Sequence, residues 1–291
     1  MAHLPFINQP DFLALGARRI PAAQWLTPAL PAYHAHQLEL AAQQDDVFCS
    51  LPCSEAAQHE LQATLADHLC DVHRDSYHRT GEQLTVVPLN TQSPLQSASD
   101  PLWHASLWIA DDLCLLQRAP DGWVLCAASL CAPSHWRLKD KIGRPLADIH
   151  APVPGLQQTL GTVIDRTLDK LADDDILERG NWTITDSDQL AQFASREHRV
   201  DANQRLFLRV ERQSLRKLPA TGAVVFAICV EITALDTLED NATAVEQLLK
   251  ALVRLEPAVV GYKSLQRLTP ALARFAQRYG VALPGYFYAP G

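Results

Sequence analysis

The chain has 291 residues, of which 47% are hydrophobic and 20% are charged, a balance typical of a folded globular protein. Its formal net charge of -8 disfavours contact with a phosphate backbone, so we expect no nucleic-acid partner. No apolar run reaches the roughly 18 residues that suggest a membrane span, and the N-terminus lacks a signal-peptide pattern. We therefore expect no membrane partner.

The seven cysteines are odd in number, and several lie inside apolar runs. This pattern is typical of free thiols in a reducing compartment, so we expect a cytoplasmic protein. Cys49 and Cys53 have C-x-x-x-C spacing, but no second pair completes a zinc-binding set.

We expect residues 1–110 to form an N-terminal helical region that packs on the core. Ser54 precedes a segment whose apolar positions recur at helical spacing, which predicts a helix capped by Ser54 and ending near His73. The stretch 79–101 that follows is rich in turn-forming residues, and no strand is predicted in it.

Two short apolar runs come next, Leu113–Arg118 and Trp123–Leu130, and residues 119–122 (APDG) separate them. Proline followed by Asp-Gly predicts a β-hairpin, because glycine accepts a positive φ in the turn. The strand pattern is then lost until Asn181. Within this insert, Leu156–Leu171 places its apolar residues on one side of a predicted helix.

Strand character returns in three segments, Asn181–Thr185, Leu206–Arg212 and Ala223–Ile232. Thr243–Glu246 (TAVE) has the pattern of a capping box that opens a C-terminal helix. Further helices are predicted after Pro257 and Pro270.

Two strands, a helical insert and three strands, flanked by helices, predict an α+β fold with an antiparallel sheet of five strands. The same order occurs in PAS domains. We therefore expect a PAS-like core over residues 111–235, with C-terminal helices over residues 236–291. The two flanking regions and the core are expected to form one compact unit.

Three stretches carry a resemblance to a known family. The first combines Asp111–Leu116 (DDLCLL) with Cys131–Trp136 (CAPSHW), and the second is Lys141–Pro154 (KIGRPLADIHAPVP). The third combines Asn181-Trp182 with Arg209–Pro219 (RVERQSLRKLP) and Thr221–Phe226 (TGAVVF). These segments resemble the alpha subunit of the haem-dependent oxidative N-demethylase family. Ala132 and Asp111 depart mildly from that family's pattern, which has Phe and Glu there.

The resemblance implies that the protein holds haem b in a PAS-like fold. It implies an oxygen-dependent removal of a methyl group from a small secondary or methylated amine, with release of formaldehyde. Electrons would come from NADPH through partner subunits carrying FMN and a [2Fe-2S] cluster, so a hetero-oligomer is expected. The chain itself has no G-x-G-x-x-G motif and no cysteine spacing for a cluster.

His150 is the first candidate for the axial ligand of the haem iron, because imidazole suits haem iron and Pro152 and Pro154 stiffen the backbone behind it. A histidine that is hydrogen-bonded in a loop is the alternative interpretation. Other candidate ligands remain open: His135, His104, His78, His73, Cys131 and Cys126.

Strand alternation places Arg209 and Glu211 on one face, opposite Leu206, Leu208 and Val210. If that face lines the site, Arg209 assists bound oxygen or binds a propionate, and Glu211 holds a protonated amine. The alternative is a solvated face with an ion pair of little energetic value. Further candidates for binding haem propionates are Arg212, Arg179, Lys141 and Arg144.

Two other functions fit the same sequence. A haem-based PAS sensor or gas-binding module would use the fold without catalysis, since a fold does not determine a function. The second alternative is a binding or scaffold protein without haem. Sustained substrate-dependent oxygen consumption separates the enzyme from the sensor, and a Soret band separates both from the scaffold.

Overall fold

The computed structural model describes residues 4–8, 16–154, 161–193 and 198–289. Ten strands occur in these ranges: β1 Arg18–Arg19, β2 Phe48–Ser50, β3 Tyr77–Thr80, β4 Gln83–Val86, β5 Thr91–Pro94, β6 Asp112–Ala119, β7 Gly122–Ser129, β8 Ile176–Thr185, β9 Phe207–Lys217 and β10 Val224–Ala234. A large antiparallel sheet has the order β1-β8-β9-β10-β6-β7-β2, and a small one has the order β3-β4-β5.

The described helices are α1 Pro5–Asn8, α2 Pro31–Gln43, α3 Glu55–Val72, α4 Pro101–Ser106, α5 Leu146–Ile149, α6 Gly161–Asp169, α7 Leu235–Leu238, α8 Ala242–Arg254, α9 Pro257–Tyr262 and α10 Thr269–Gln277. Together with the β-strands, they make the fold α+β. None of these helices is long and apolar enough to cross a membrane.

The two long hairpins of the large sheet follow the turn chemistry of the sequence. Pro120 and Asp121 connect β6 to β7, and Gly122 takes a φ of 129°, as glycine permits. The turn between β9 and β10 uses Gly222 at a φ of 70°. Helix α3 braces that turn, because the Glu60 carboxylate accepts hydrogen bonds from the backbone N–H groups of Ala220 and Thr221.

All five predicted strands are present, although β8 begins at Ile176 rather than at Asn181, and the sheet has seven strands rather than five. The extra strands, β1 and β2, add two or three residues at the edges and are too short to show alternation. No strand was predicted for residues 79–101, and this was also wrong, because the end of β3 and all of β4 and β5 lie there and pair with one another. Their four-residue segments, YHRT, QLTV and TQSP, carry too few apolar residues to register as strands.

Two helix starts differ from the predicted caps. Helix α8 begins at Ala242, and the side chain of Asn241 accepts a hydrogen bond from the Ala244 N–H at 3.0 Å, so the cap precedes the predicted capping box. Ser54 does precede α3, but its hydroxyl donates to the Leu51 carbonyl instead of capping the helix. The helix predicted over Leu156–Leu171 is described from Gly161; residues 155–160 lie outside the described ranges.

The large sheet has different neighbours on its two sides. On one side, Leu208 and Val210 of β9 pack with the C-terminal helices, and Val225 of β10 packs with α3. On the other, Leu215 of β9 and Phe226 of β10 pack with residues of the β7–β8 insert. We call this second side the insert-facing side, and it carries the candidate site.

Candidate functional site

Polar side chains of β8 and β9 lie on the insert-facing side, among apolar neighbours. Arg179 of β8 pairs with Gln213 of β9, and Asn181 pairs with Glu211. Alternation from Leu215 puts Gln213 and Glu211 on the same side as the apolar cluster of the insert. The sheet therefore presents a carboxylate and a guanidinium beneath the insert.

Hydrogen-bond donors surround the Glu211 carboxylate. Its Oε2 accepts bonds from Asn181 Nδ2 at 3.2 Å and from Gln213 Nε2 at 2.9 Å. Its Oε1 lies 3.5 Å from Arg209 Nε, a distance typical of a long ion pair. The Glu211 side chain is 17% exposed, so these partners keep a largely buried negative charge in place.

His150 follows the short helix α5 within the insert. Its Nδ1 lies 2.8 Å from the carbonyl oxygen of Leu146. A carbonyl only accepts, so the proton must be on Nδ1 and the lone pair on Nε2. Burial lowers the pKa of His150, and the charges of Arg179 and Lys141 lower it further. The imidazole is thus held neutral and oriented, with its lone pair on Nε2, as a metal-binding histidine requires.

Arg179 stands out because a buried donor lacks a partner. Its Nε has no hydrogen-bond partner among the described residues, and burial lowers the pKa of its guanidinium, while Glu211 raises it. A buried unsatisfied donor is costly unless a ligand or water completes it. Lys141 is half-buried near His150, whereas Arg144 is exposed.

Arg209 is engaged with the protein backbone. Its side chain is 1% exposed, and its two terminal nitrogens donate to the carbonyl oxygens of Leu190 and Ala132. Asp112, also 1% exposed, accepts from the N–H groups of Cys131 and Ala132. Arg209 and Asp112 therefore hold the same turn, where the chain leaves β7 and enters the insert.

Arg212 lies on the opposite side of the sheet. Its guanidinium donates to the carbonyl oxygens of Gln24 and Trp25, and it lies 3.3 Å from Asp111 and 3.5 Å from Glu178. These contacts occupy its donors. The sheet thus separates Arg212 from Arg179 and Glu211, which lie on the insert-facing side.

The other candidate iron ligands are placed less favourably. Burial and the neighbouring Asp112 raise the pKa of Cys131, and burial raises the pKa of Cys126 to about 12, so neither forms a thiolate readily. His78 is exposed on the small sheet. His73 and His104 are half-buried outside the insert, and His135 has a φ of 61° in the turn that follows β7.

A family model described as "Haem-dependent oxidative N-demethylase, alpha subunit-like" matches residues 19–273. The chain belongs to this family. The match confirms the resemblance carried by the three motifs, and it includes β2 to β10 and Arg19 of β1. The family's description names haem, so haem is the cofactor to compare with the residues of the insert-facing side.

Several side chains of the insert-facing side have the chemistry that a haem group requires. His150 offers Nε2 as a ligand, and Arg179 offers a buried donor without a partner, which suits a propionate. Apolar side chains of the sheet and the insert, including Leu177, Ile149 and Phe226, suit a porphyrin face. Within the described ranges, no cluster of three or more His, Cys, Asp or Glu side chains forms a separate metal site.

Sequence reasoning did not single out three residues of this arrangement. Asn181 and Gln213 hold Glu211, and Asp112 fixes the turn that Arg209 also holds. All three stand inside the motifs that carry the resemblance. Their polar character within apolar strands was the available signal, because a buried polar side chain needs a specific partner.

Proposed function

We propose that this chain is the haem-carrying subunit of an oxidative N-demethylase. The observation that carries the proposal is the family match together with a neutral His150, whose Nε2 is left unprotonated by the bond to Leu146. Haem b, when bound, supplies an iron that activates dioxygen for oxidation of an N-methyl group. The order β8-β9-β10-β6-β7 with an insert after β7 supports the PAS-like description of the core.

His150 holds the iron through Nε2, and Arg179 binds a propionate in this proposal. Lys141 adds positive charge on the same side, so it helps to balance the propionates. Arg209 acts as a positioning residue, because its terminal nitrogens donate to the carbonyl oxygens of Ala132, in the turn after β7, and of Leu190, after β8. We leave Arg212 and the exposed Arg144 out of the haem site.

Glu211 holds the substrate in the same proposal. Small methylated amines are cations at neutral pH, and a largely buried carboxylate favours a cation over a neutral molecule. The 3.5 Å pair to Arg209 leaves Oε1 able to accept a hydrogen bond from an ammonium. Asn181 and Gln213 keep the carboxylate oriented while the amine enters.

The proposed reaction needs electrons from outside the chain. The alpha-subunit description supports a multi-subunit assembly. We propose that NADPH supplies the electrons through partner subunits that carry FMN and a [2Fe-2S] cluster, and that the assembly is cytoplasmic. The substrate is a secondary or methylated amine such as dimethylamine, and formaldehyde is the product.

The first test uses haem reconstitution of wild type, His150→Ala and His78→Ala, the last being an exposed control. We expect wild type and His78→Ala to give a Soret band that shifts on reduction and on binding carbon monoxide. His150→Ala should give a weak or altered band, and added imidazole should restore it by occupying the vacated site. A normal spectrum for His150→Ala would assign the ligand to another residue.

Activity is then measured with dimethylamine, NADPH and a reductase. Formaldehyde should form with the wild type, and Glu211→Gln should raise KM for the cationic amine by about tenfold or more, the loss of one charge-assisted contact. Haem binding without substrate-dependent oxygen consumption would favour the sensor instead. The absence of any Soret band would remove both functions.

A further inference from the structure

Cys53 and Cys126 are neighbours in space although 73 positions separate their numbers. Cys53 lies in the single turn Pro52–Ser54 between β2 and α3. The N–H of Leu51, just before this turn, donates to the carbonyl oxygen of Cys126 at 2.8 Å. The strand pairing of Ser50 with Ala127 continues this contact, and the Cys53 thiol lies close enough to Cys126 to raise the pKa of the Cys126 thiol.

The two thiols differ in their access to solvent. Cys53 is exposed, whereas Cys126 is 3% exposed and its Sγ lies 3.5 Å from the Val124 carbonyl oxygen. Burial raises the pKa of Cys126 to about 12, so it does not act as the first nucleophile. A dissolved oxidant therefore meets Cys53 first, with a second thiol already beside it.

We propose that Cys53 and Cys126 are a reversible oxidation site that closes to a disulfide in the presence of hydrogen peroxide. The Cys53 thiolate attacks a peroxide oxygen, the O–O bond breaks, and a sulfenic acid and hydroxide form. The Cys126 sulfur then attacks the Cys53 sulfur, the S–O bond breaks, and water leaves. Two thiols and one peroxide thus give one disulfide and two waters.

The disulfide would tie the start of α3 to β7. Cys126 is adjacent to Leu125, whose N–H and C=O bond to Arg144 and Gly143 of the insert at 3.2 and 2.8 Å. The bond therefore fixes the strand on which the insert rests. The proposal does not depend on haem, since neither thiol belongs to the proposed haem site.

The test treats the reduced, full-length protein with a small excess of hydrogen peroxide and maps disulfides by non-reducing trypsin digestion and tandem mass spectrometry. The tryptic peptide 20–74 contains Cys49, Cys53 and Cys70, and the peptide 119–137 contains Cys126 and Cys131. Fragment ions and single serine variants therefore have to assign the bond.

We expect the Cys53–Cys126 bond in wild type and in the controls Cys49→Ser and Cys70→Ser, and its loss in Cys53→Ser and Cys126→Ser. Oxidation should raise the melting temperature by about 2–8 °C, because the bond closes a long loop, and dithiothreitol should reverse the rise. Since Cys53 is exposed, Cys53→Ser gives a folded test even if Cys126→Ser does not.

Three outcomes would overturn the proposal. One is a bond between Cys49 and Cys53 in place of the proposed one. Another is a Cys53 sulfinic acid with no cross-link. The third is a cross-link between the two tryptic peptides that survives Cys53→Ser.

Discussion

At the residue scale, the site depends on which hydrogen bonds are already made. Glu211 and Arg209 are surrounded by partners, so the protein has positioned them before any ligand binds. The Nε of Arg179 is buried without a hydrogen-bond partner among the described residues, and no neighbouring carbonyl oxygen is shown to hold its guanidinium as Leu190 and Ala132 hold that of Arg209. A preoriented His150 and an unsatisfied Arg179 on the same side of the sheet are the features that most favour a bound anionic cofactor.

Arg179 and Arg144 provide a matched pair of variants. Arg179→Gln should weaken haem binding by about 10- to 100-fold, the effect of losing one charge-assisted hydrogen bond of about 1.5–3 kcal/mol. Arg144→Gln should change the affinity little, because Arg144 is exposed. Haem titration followed at the Soret band measures both. Equal losses in the two variants would contradict the assignment of Arg179.

At the scale of elements, the sequence predicted the five long strands and the helices α3 and α8, but it did not locate α2 or the short strands β1 to β5. Alternation in β9 and the turn residues between β6 and β7 are local features, so the chain shows them without its neighbours. The cap of α8 was misplaced because Asn241 and Thr243 are both good capping residues, and only the backbone course chooses between them.

The start of α8 gives a direct test of this choice. Asn241→Ala should lower the free energy of unfolding by about 1 kcal/mol, since the N–H of Ala244 loses its acceptor. Thr243→Ala should lie within about 0.5 kcal/mol of wild type. Urea denaturation of the two variants would show the reverse ranking if Thr243 were the cap.

At the scale of the whole molecule, the sheet is covered from both ends of the chain. Trp25 and α3 pack on its centre, while α8, α9 and α10 pack on Leu208 and Val210. The three predicted regions, 1–110, 111–235 and 236–291, thus share cores across their boundaries. This sharing favours the view that they fold as one unit, which stays a prediction.

His68 of α3 lies in the contact between the N-terminal region and the sheet. Its ring stacks edge-on against Trp25 at 4.9 Å, and the Arg216 guanidinium lies 4.3 Å from the Trp25 ring. Burial lowers the pKa of His68 to about 4, with Arg216 and His73 adding to the effect. Between pH 6.5 and 4, the folded protein therefore keeps this imidazole neutral, whereas the unfolded chain protonates it.

A depressed histidine pKa means that the unfolded state binds more protons between pH 6.5 and 4. The free energy of unfolding is therefore unaffected by His68 above pH 6.5 and falls by about 1–3 kcal/mol as the pH drops toward 4. His68→Phe keeps a ring against Trp25 and removes the titration, so it should show a flatter stability profile over this range. Denaturation at pH 7, 5.5 and 4.5 measures the free energy of unfolding of wild type, His68→Phe and the exposed control His78→Gln. The same pH dependence in all three proteins would contradict a depressed pKa for His68.

The sequence by itself determined the family, the α+β class and the course of the main strands, because these follow from motifs and from periodicity within short segments. It also placed Arg209 and Glu211 on one strand face by alternation alone. Tertiary structure decided which distant groups meet: Arg212 with Asp111 on one side of the sheet, and Cys53 with Cys126 at its edge. Such pairings depend on strand order and register, which join residues far apart in the chain and leave no local periodicity to read.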